Sequence, residues 1–288
     1  EEEKIPAVIL IHGFGASSSH WRNNAGSFAA AGFRVYSLDL LGFGNSAQSF
    51  LSSQELLNNR IWAKQVSAFL EQIVKADCSR KAVLIGNSLG SLTALTTAVF
   101  RPELVAAVIA APLPDPTLMK PVVKRKPRCW RKLKNKLIVL LYHLLPLELL
   151  VPLIARTNLI KKALQAAYYH SIKADKELHH LVTQPARKPN AASALRAMCI
   201  GMALRHRSET APALLERLSR RPERSPLLLI WGQQDRFVPL FLGKRIQKQY
   251  PWLSLTVLES TGHCPHDESP KNFNQTVLNW LELNLEKN

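Results

Sequence analysis

The pentapeptide Gly86-Asn87-Ser88-Leu89-Gly90 constrains this chain more than any other feature. It stands between Ala82 to Ile85, an apolar run that reads as a strand, and the small-residue-rich stretch Leu89 to Phe100, which reads as a helix stopped before Pro102. A serine on so sharp a strand-to-helix turn is held in a strained backbone conformation, and the turn tolerates only small residues two positions to either side. Gly86 and Gly90 supply them. The turn lifts the Ser88 hydroxyl clear of a sheet and puts the Leu89 N–H at the first turn of a helix, where a free donor and the helix dipole face a reacting carbonyl. The bland alternative is a serine that only caps a helix.

The flanking sequence predicts the sheet on which such a turn sits. Ala7 to Ile11, Arg34 to Leu38, Val105 to Ala110, Leu227 to Trp231 and Leu255 to Leu258 read as further strands. Ile61 to Val74 and Phe273 to Leu285 carry apolar residues at helical spacing. Strands alternating with helices imply the α/β class, a mostly parallel central sheet with helices on both faces. Leu113 to Ser225 breaks the alternation and reads as helical throughout. It is expected to be an inserted helical cap over the C-terminal edge of the sheet, so residues 1–112 and 226–288 form the core domain and 113–225 the cap.

A serine hydroxyl is a poor nucleophile at neutral pH and needs a base with an orienting carboxylate. Asp235 follows the strand ending at Trp231, and His263 follows the strand ending at Leu258, in the order Ser, acid, His that this architecture requires. Taken singly they read as a turn aspartate and a surface histidine. Asp115 is a second place for the acid, although Pro114 and Pro116 beside it suit a hinge into the cap. In His12-Gly13-Phe14-Gly15, after the first strand, the Phe14 N–H is the candidate second oxyanion donor beside that of Leu89, and His12 is expected to bond loop backbone. His266 and Asp267 read as a solvent-facing pair, with orientation of the His263 loop as the alternative.

The chain carries 38 Lys+Arg against 21 Asp+Glu, a net +17 over 288 residues. Residues 113–225 hold +16 of this, so one segment is basic and the rest nearly neutral. Lys120 to Lys136 contains nine basic residues and no acid, and the apolar run Leu137 to Ala155 follows directly. His143, Pro146, Glu148 and Pro152 interrupt that run, which argues for a lid or interfacial segment over a membrane span. Two readings of the cap stay open: an apolar face packed on the core with solvated lysines and arginines, or contact with an anionic membrane surface. Nucleic acid is not expected, because no helix-turn-helix, RNA-binding or zinc motif accompanies the charge. With 47% hydrophobic residues the chain is neither a disordered nor a disulfide-scaffold sequence. Cys78, Cys129, Cys199 and Cys264 lack metal spacing and read as free or buried thiols, and neither metal nor cofactor is expected.

In this order the motifs resemble the α/β-hydrolase superfamily over essentially the whole chain: His12-Gly13-Phe14-Gly15, Asp39-Leu40-Leu41-Gly42-Phe43-Gly44-Asn45-Ser46, the Ser88 turn, the Asp235 loop and the His263 loop. Ser88 in place of an aspartate sets it apart from the dehalogenase and epoxide hydrolase branches. His12 to Ser17 followed by His20-Trp21-Arg22, Asn87, and Gly262 to Glu268 are similar to the pheophytinase and chlorophyll dephytylase-like hydrolases of photosynthetic organisms. The resemblance implies a serine hydrolase of a carboxylic ester, with a lipophilic and phytyl-ester-like substrate in view. It implies Ser88, His263 and Asp235 as triad and an intracellular compartment, cytoplasmic or plastid-type, beside a photosynthetic membrane. A carbon–carbon bond hydrolase or an acyltransferase on the same triad is the alternative, and a non-catalytic ligand-binding protein is the third. No secretory signal opens the chain as given. The antiparallel hairpin usual ahead of the first central strand is missing, so a truncated or processed N-terminus is expected.

Overall fold

Six short apolar runs become strands: β1 (Val8–Ile11), β2 (Val35–Leu38), β3 (Ala82–Asn87), β4 (Val105–Ala111), β5 (Leu227–Gly232) and β6 (Ser254–Leu258). The computed structural model describes residues 5–47, 56–119 and 128–285. All neighbouring strands pair in parallel, in the order β2-β1-β3-β4-β5-β6. The strand order reverses between β1 and β3, and crevices at the carboxyl ends of such a reversal are where ligands of open α/β sheets bind.

Period-two alternation of the strands divides the core into two layers. Val8, Leu10, Val83, Ile85, Ile109 and Ile230 point to one face, against Phe28 of α1 (Ala25–Ala30) and Phe273, Val277 and Leu281 of α11 (Pro270–Leu285). Ile9, Ile11, Leu84, Val108, Leu229 and Trp231 point to the other, against α2 (Asn59–Phe69), α3 (Leu89–Phe100) and α10 (Leu240–Gln249). Each fully buried Leu or Ile is worth about 2 kcal/mol, so these layers hold the sheet rigid beneath the site. The sheet therefore has helices on both faces, as expected. The helix predicted over 61–74 begins earlier, because the Asn58 side chain accepts hydrogen bonds from Arg60 N (3.0 Å) and Ile61 N (3.1 Å) and caps it. It then widens into a turn over Leu70–Val74 that ends at left-handed Lys75.

Between β4 and β5 the described chain is helical: α4 (Arg128–Leu144), α5 (Leu147–Ala155), α6 (Leu159–Ala167), α7 (Lys176–Ala186), α8 (Ala191–Leu204) and α9 (Ala211–Ser219). This inserted helical region is the cap of an α/β-hydrolase fold. Its last helix sits deeper than the others, since Ala211, Leu214, Leu215 and Leu218 are fully buried in the core layer that holds α3. The first half of the predicted basic run, residues 120–127, lies outside the described residues.

Candidate active site

Ser88 occupies the step from β3 to α3 at φ 52°, ψ −113°, a region that costs a non-glycine residue about 1–3 kcal/mol. Close packing enforces it. A Cβ on Gly86 would lie 2.3 Å from the Gly90 carbonyl carbon, and one on Gly90 would lie 2.1 Å from the Ile11 carbonyl oxygen. Hydrogen bonds fix the same turn: Ser88 N donates to Ala111 O (3.2 Å), Ser91 Oγ to Gly86 O (2.7 Å) and Ala111 N to Ser91 Oγ (2.9 Å). The Ser88 side chain caps no helix amide, so the bland reading of this serine does not describe it.

The structure brings Asp235 and His263 together from the loops after β5 and β6. Asp235 Oδ1 accepts from Phe237 N (2.8 Å) and Val238 N (2.9 Å), and Oδ2 accepts from His263 Nδ1 at 2.9 Å. With Nδ1 as donor, the imidazole keeps its Nε2 lone pair for a proton. The two loops are laced by Gln234, whose N donates to Thr261 O and whose Oε1 accepts from Thr261 N, both at 2.9 Å. Ser88 and His263 line the same cavity. Asp115 is committed elsewhere: its carboxylate takes Arg205 (2.7 Å), Ala211 N (2.7 Å) and Thr117 N (2.9 Å) where the chain enters the cap.

Phe14 borders the cavity, and Leu89 is the first residue of α3, whose leading amides have no partner within the helix. The loop carrying Phe14 lies directly on the Ser88 turn, since a Cβ on Gly13 would be 3.3 Å from Ser88 Cβ. His12 is fully buried and bonds backbone, its Nδ1 to Gly13 O (2.7 Å) while Nε2 accepts from Leu40 N (3.0 Å). Burial depresses its pKa, so it stays the neutral tautomer those bonds require. Asn87 has a role that sequence reading missed. Its Nδ2 donates to Ala111 O (2.7 Å) and His263 O (3.2 Å), joining the nucleophile turn to the histidine loop.

His266 and Asp267 depart from the solvent-facing expectation: both are buried. The Asp267 carboxylate accepts from Arg22 Nε (2.9 Å) and from the cap's Tyr168 hydroxyl (2.8 Å). Arg22 also reaches Asp175 of the cap (2.5 Å), and these acids raise its pKa further above the ordinary range. His20 lies 2.9 Å from the Tyr168 hydroxyl and T-stacks on His266. Desolvation lowers His20 to about 4 and takes His266 well below its usual value. Beside this network His263 N donates to Ala167 O at 2.7 Å, so the cap is bonded directly to the histidine loop.

The cavity above Ser88 measures about 630 Å³. The described side chains that line it include no Lys, Arg, Asp or Glu, and its polar groups are His20, Asn87, Ser88, His263 and Cys264. The cap supplies apolar walls, among them Val151, Ile154, Ile160, Leu164 and Leu195.

The sequence profile of the alpha/beta hydrolase family matches residues 8–276. The chain belongs to the alpha/beta hydrolase family. As an α/β hydrolase it is 27% identical over 289 residues to a 2-hydroxy-6-oxononadienedioate/2-hydroxy-6-oxononatrienedioate hydrolase from Pseudomonas sp, covering 95% of this chain and 87% of the relative. It is 25% identical to the chloroplastic pheophytinase of Arabidopsis thaliana, covering 96% of this chain and 61% of that protein. A thermophilic esterase from Thermogutta terrifontis superposes with a TM-score of 0.67 at 21% identity, covering 96% and 89% of the two chains, which shows the shared fold. These relatives come from bacteria and a plant, so the plastid-type location expected from the loops is not carried over. Among the described residues no single helix is long and apolar enough to cross a membrane.

Proposed function

We propose that this α/β hydrolase cleaves an uncharged, lipophilic carboxylic ester through an acyl-enzyme on Ser88. In this reading His263 Nε2 takes the Ser88 proton as Oγ attacks the ester carbonyl, and Asp235 orients the ring and stabilises its charged form. The N–H groups of Phe14 and Leu89 hold the oxyanion. The alcohol leaves with the proton returned by His263, and water, activated by the same base, releases the acid. The cap, read as residues 113–225, walls the pocket.

The observation that carries the substrate class is the cavity lining. A carboxylate-bearing substrate held in a pocket of this kind would need a cation or a set of donors, because burying an unpaired charge costs several kcal/mol. No Lys or Arg stands among the described lining residues, whereas a long alkyl or isoprenoid ester meets apolar walls throughout. A phytyl ester falls within this class, in keeping with the similarity to pheophytinase.

Carbon–carbon bond hydrolysis on the same three residues is the second reading, and the relatives favour it. The Pseudomonas relative and a 2-hydroxy-6-oxo-6-phenylhexa-2,4-dienoate hydrolase from Burkholderia cepacia are each 27% identical to this chain. The two readings separate in one experiment: kcat/KM for phytyl, long fatty-acyl and short-chain esters beside that for 2-hydroxy-6-oxo-6-phenylhexa-2,4-dienoate. The ester reading expects the long-chain esters to lead by at least about tenfold, the worth of some 1.4 kcal/mol of added apolar burial. Preference for the dienoate would replace it with the second reading.

A further inference from the structure

The cap turns an apolar face away from the rest of the protein. On α4, Trp130, Leu133, Leu137, Leu140, Leu141 and Leu144 recur at three- and four-residue spacing, forming one stripe about 100° wide, and each is more than half exposed. The helix is nonetheless fixed in place, because Arg196 of α8 donates to the carbonyls of Tyr142 (3.0 Å) and Leu145 (2.9 Å). Exposed Lys134 flanks the stripe on one side and Lys136 on the other, with exposed Lys132 about 40° further round the helix. Glu148 is the lone acid between Asp115 and Asp175 in the sequence, and Arg196 pairs with it.

Beyond a bend of 56° α5 continues the face. Its Leu149 and Leu153 are exposed, while Val151 and Ile154 line the cavity above Ser88. One helix thus separates the outer apolar face from the pocket. The bend, and a length of about 25 Å for α4 at 1.5 Å per residue, suit a helix lying in an interface better than one crossing it.

We propose that the α4–α5 face of the cap is a docking surface for an anionic lipid bilayer, from which the pocket behind α5 receives its substrate. Leucines and a tryptophan along the centre of the stripe enter the headgroup boundary, and the flanking lysines meet anionic headgroups. A second copy of the chain would set the same lysines against themselves. Nucleic acid would leave the leucine stripe uncovered. The proposal rests on the lipophilic reading of the pocket for its purpose, but binding is measured without turnover, so either can fail alone.

The test is flotation of the full chain with phosphatidylcholine vesicles, with and without phosphatidylglycerol as about one third of the lipid. The protein rises with the anionic vesicles and stays behind with the neutral ones. K132Q/K134Q/K136Q weakens partitioning about a hundredfold, from roughly 1 kcal/mol per basic residue near such a surface. L137E/L141E abolishes it, and both variants keep wild-type turnover of a soluble short-chain ester or wild-type melting. Absence from both vesicle types overturns the proposal, as does unchanged flotation of L137E/L141E. A dimer that L137E/L141E splits, or RNA binding that K132Q/K134Q/K136Q abolishes, without flotation of the wild type, assigns the face to those partners instead.

Discussion

Replacing Tyr168 with Phe removes one hydroxyl and almost no volume, which isolates the tether between cap and histidine loop. Tyr168 is 3% exposed, and its hydroxyl donates to Asp267 Oδ2 at 2.8 Å and lies 2.9 Å from His20 Nε2. A hydrogen bond to a charged acceptor is worth about 1.5–3 kcal/mol, and leaving a buried partner unsatisfied draws on that whole range. Arg22 still pairs with Asp267 in the variant, so no charge is orphaned and the lower half applies. The expected loss is about 2 kcal/mol by denaturant unfolding at unchanged m, or about 4 °C in Tm for a chain of this size. A double-mutant cycle with Asp267→Asn should return a coupling of about 1 kcal/mol. Because the neighbouring Ala167 carbonyl accepts from His263 N, loosening this segment should raise KM for long-chain esters more than it lowers kcat for short ones. A loss below about 0.5 kcal/mol, or additive single variants, would refute the reasoning.

Asp235→Asn keeps the shape of the acid but presents an amide to His263 Nδ1; kcat should fall about 10³–10⁴-fold with little change in KM, read by steady-state kinetics on a short-chain ester. Stability should fall on acidification. His20 titrates near 4 when folded against an ordinary 6.5, so the unfolded chain binds the extra proton. The stabilisation is whole above pH 6.5 and is lost progressively toward pH 4. At pH 5 His20 alone costs on the order of 2 kcal/mol relative to pH 7.5, and His266 acts in the same direction. His20→Gln should flatten the profile of Tm against pH over that window.

The residues legible in the sequence are those whose position follows from a local turn. Ser88, Asp235 and His263 each follow a strand closely, and parallel strands side by side bring their carboxyl ends to one edge. That places Asp235 and His263 in one neighbourhood, and the structure shows the bond between them. The tether was not legible, because Tyr168, Arg22 and Asp267 stand 99 and 245 positions apart in the pairs they form, and no periodicity encodes such a meeting. His266 and Asp267 illustrate the same limit. A His-Asp pair after a loop reads as polar surface, yet Trp21, Phe273 and the descending cap bury it. The charge, by contrast, was legible as a property of one segment, but the leucine stripe between the lysines took its meaning from a face the protein leaves exposed.

The central claim is that Ser88 is a nucleophile, and a fluorophosphonate tests it most directly because the reagent demands a serine activated by its own base and oxyanion donors. The account predicts one adduct per chain, on the peptide containing Ser88, with ester turnover lost in proportion to labelling and no adduct on Ser88→Ala. An unlabelled wild-type protein that still turns over its substrate, or equal labelling of Ser88→Ala, would contradict it.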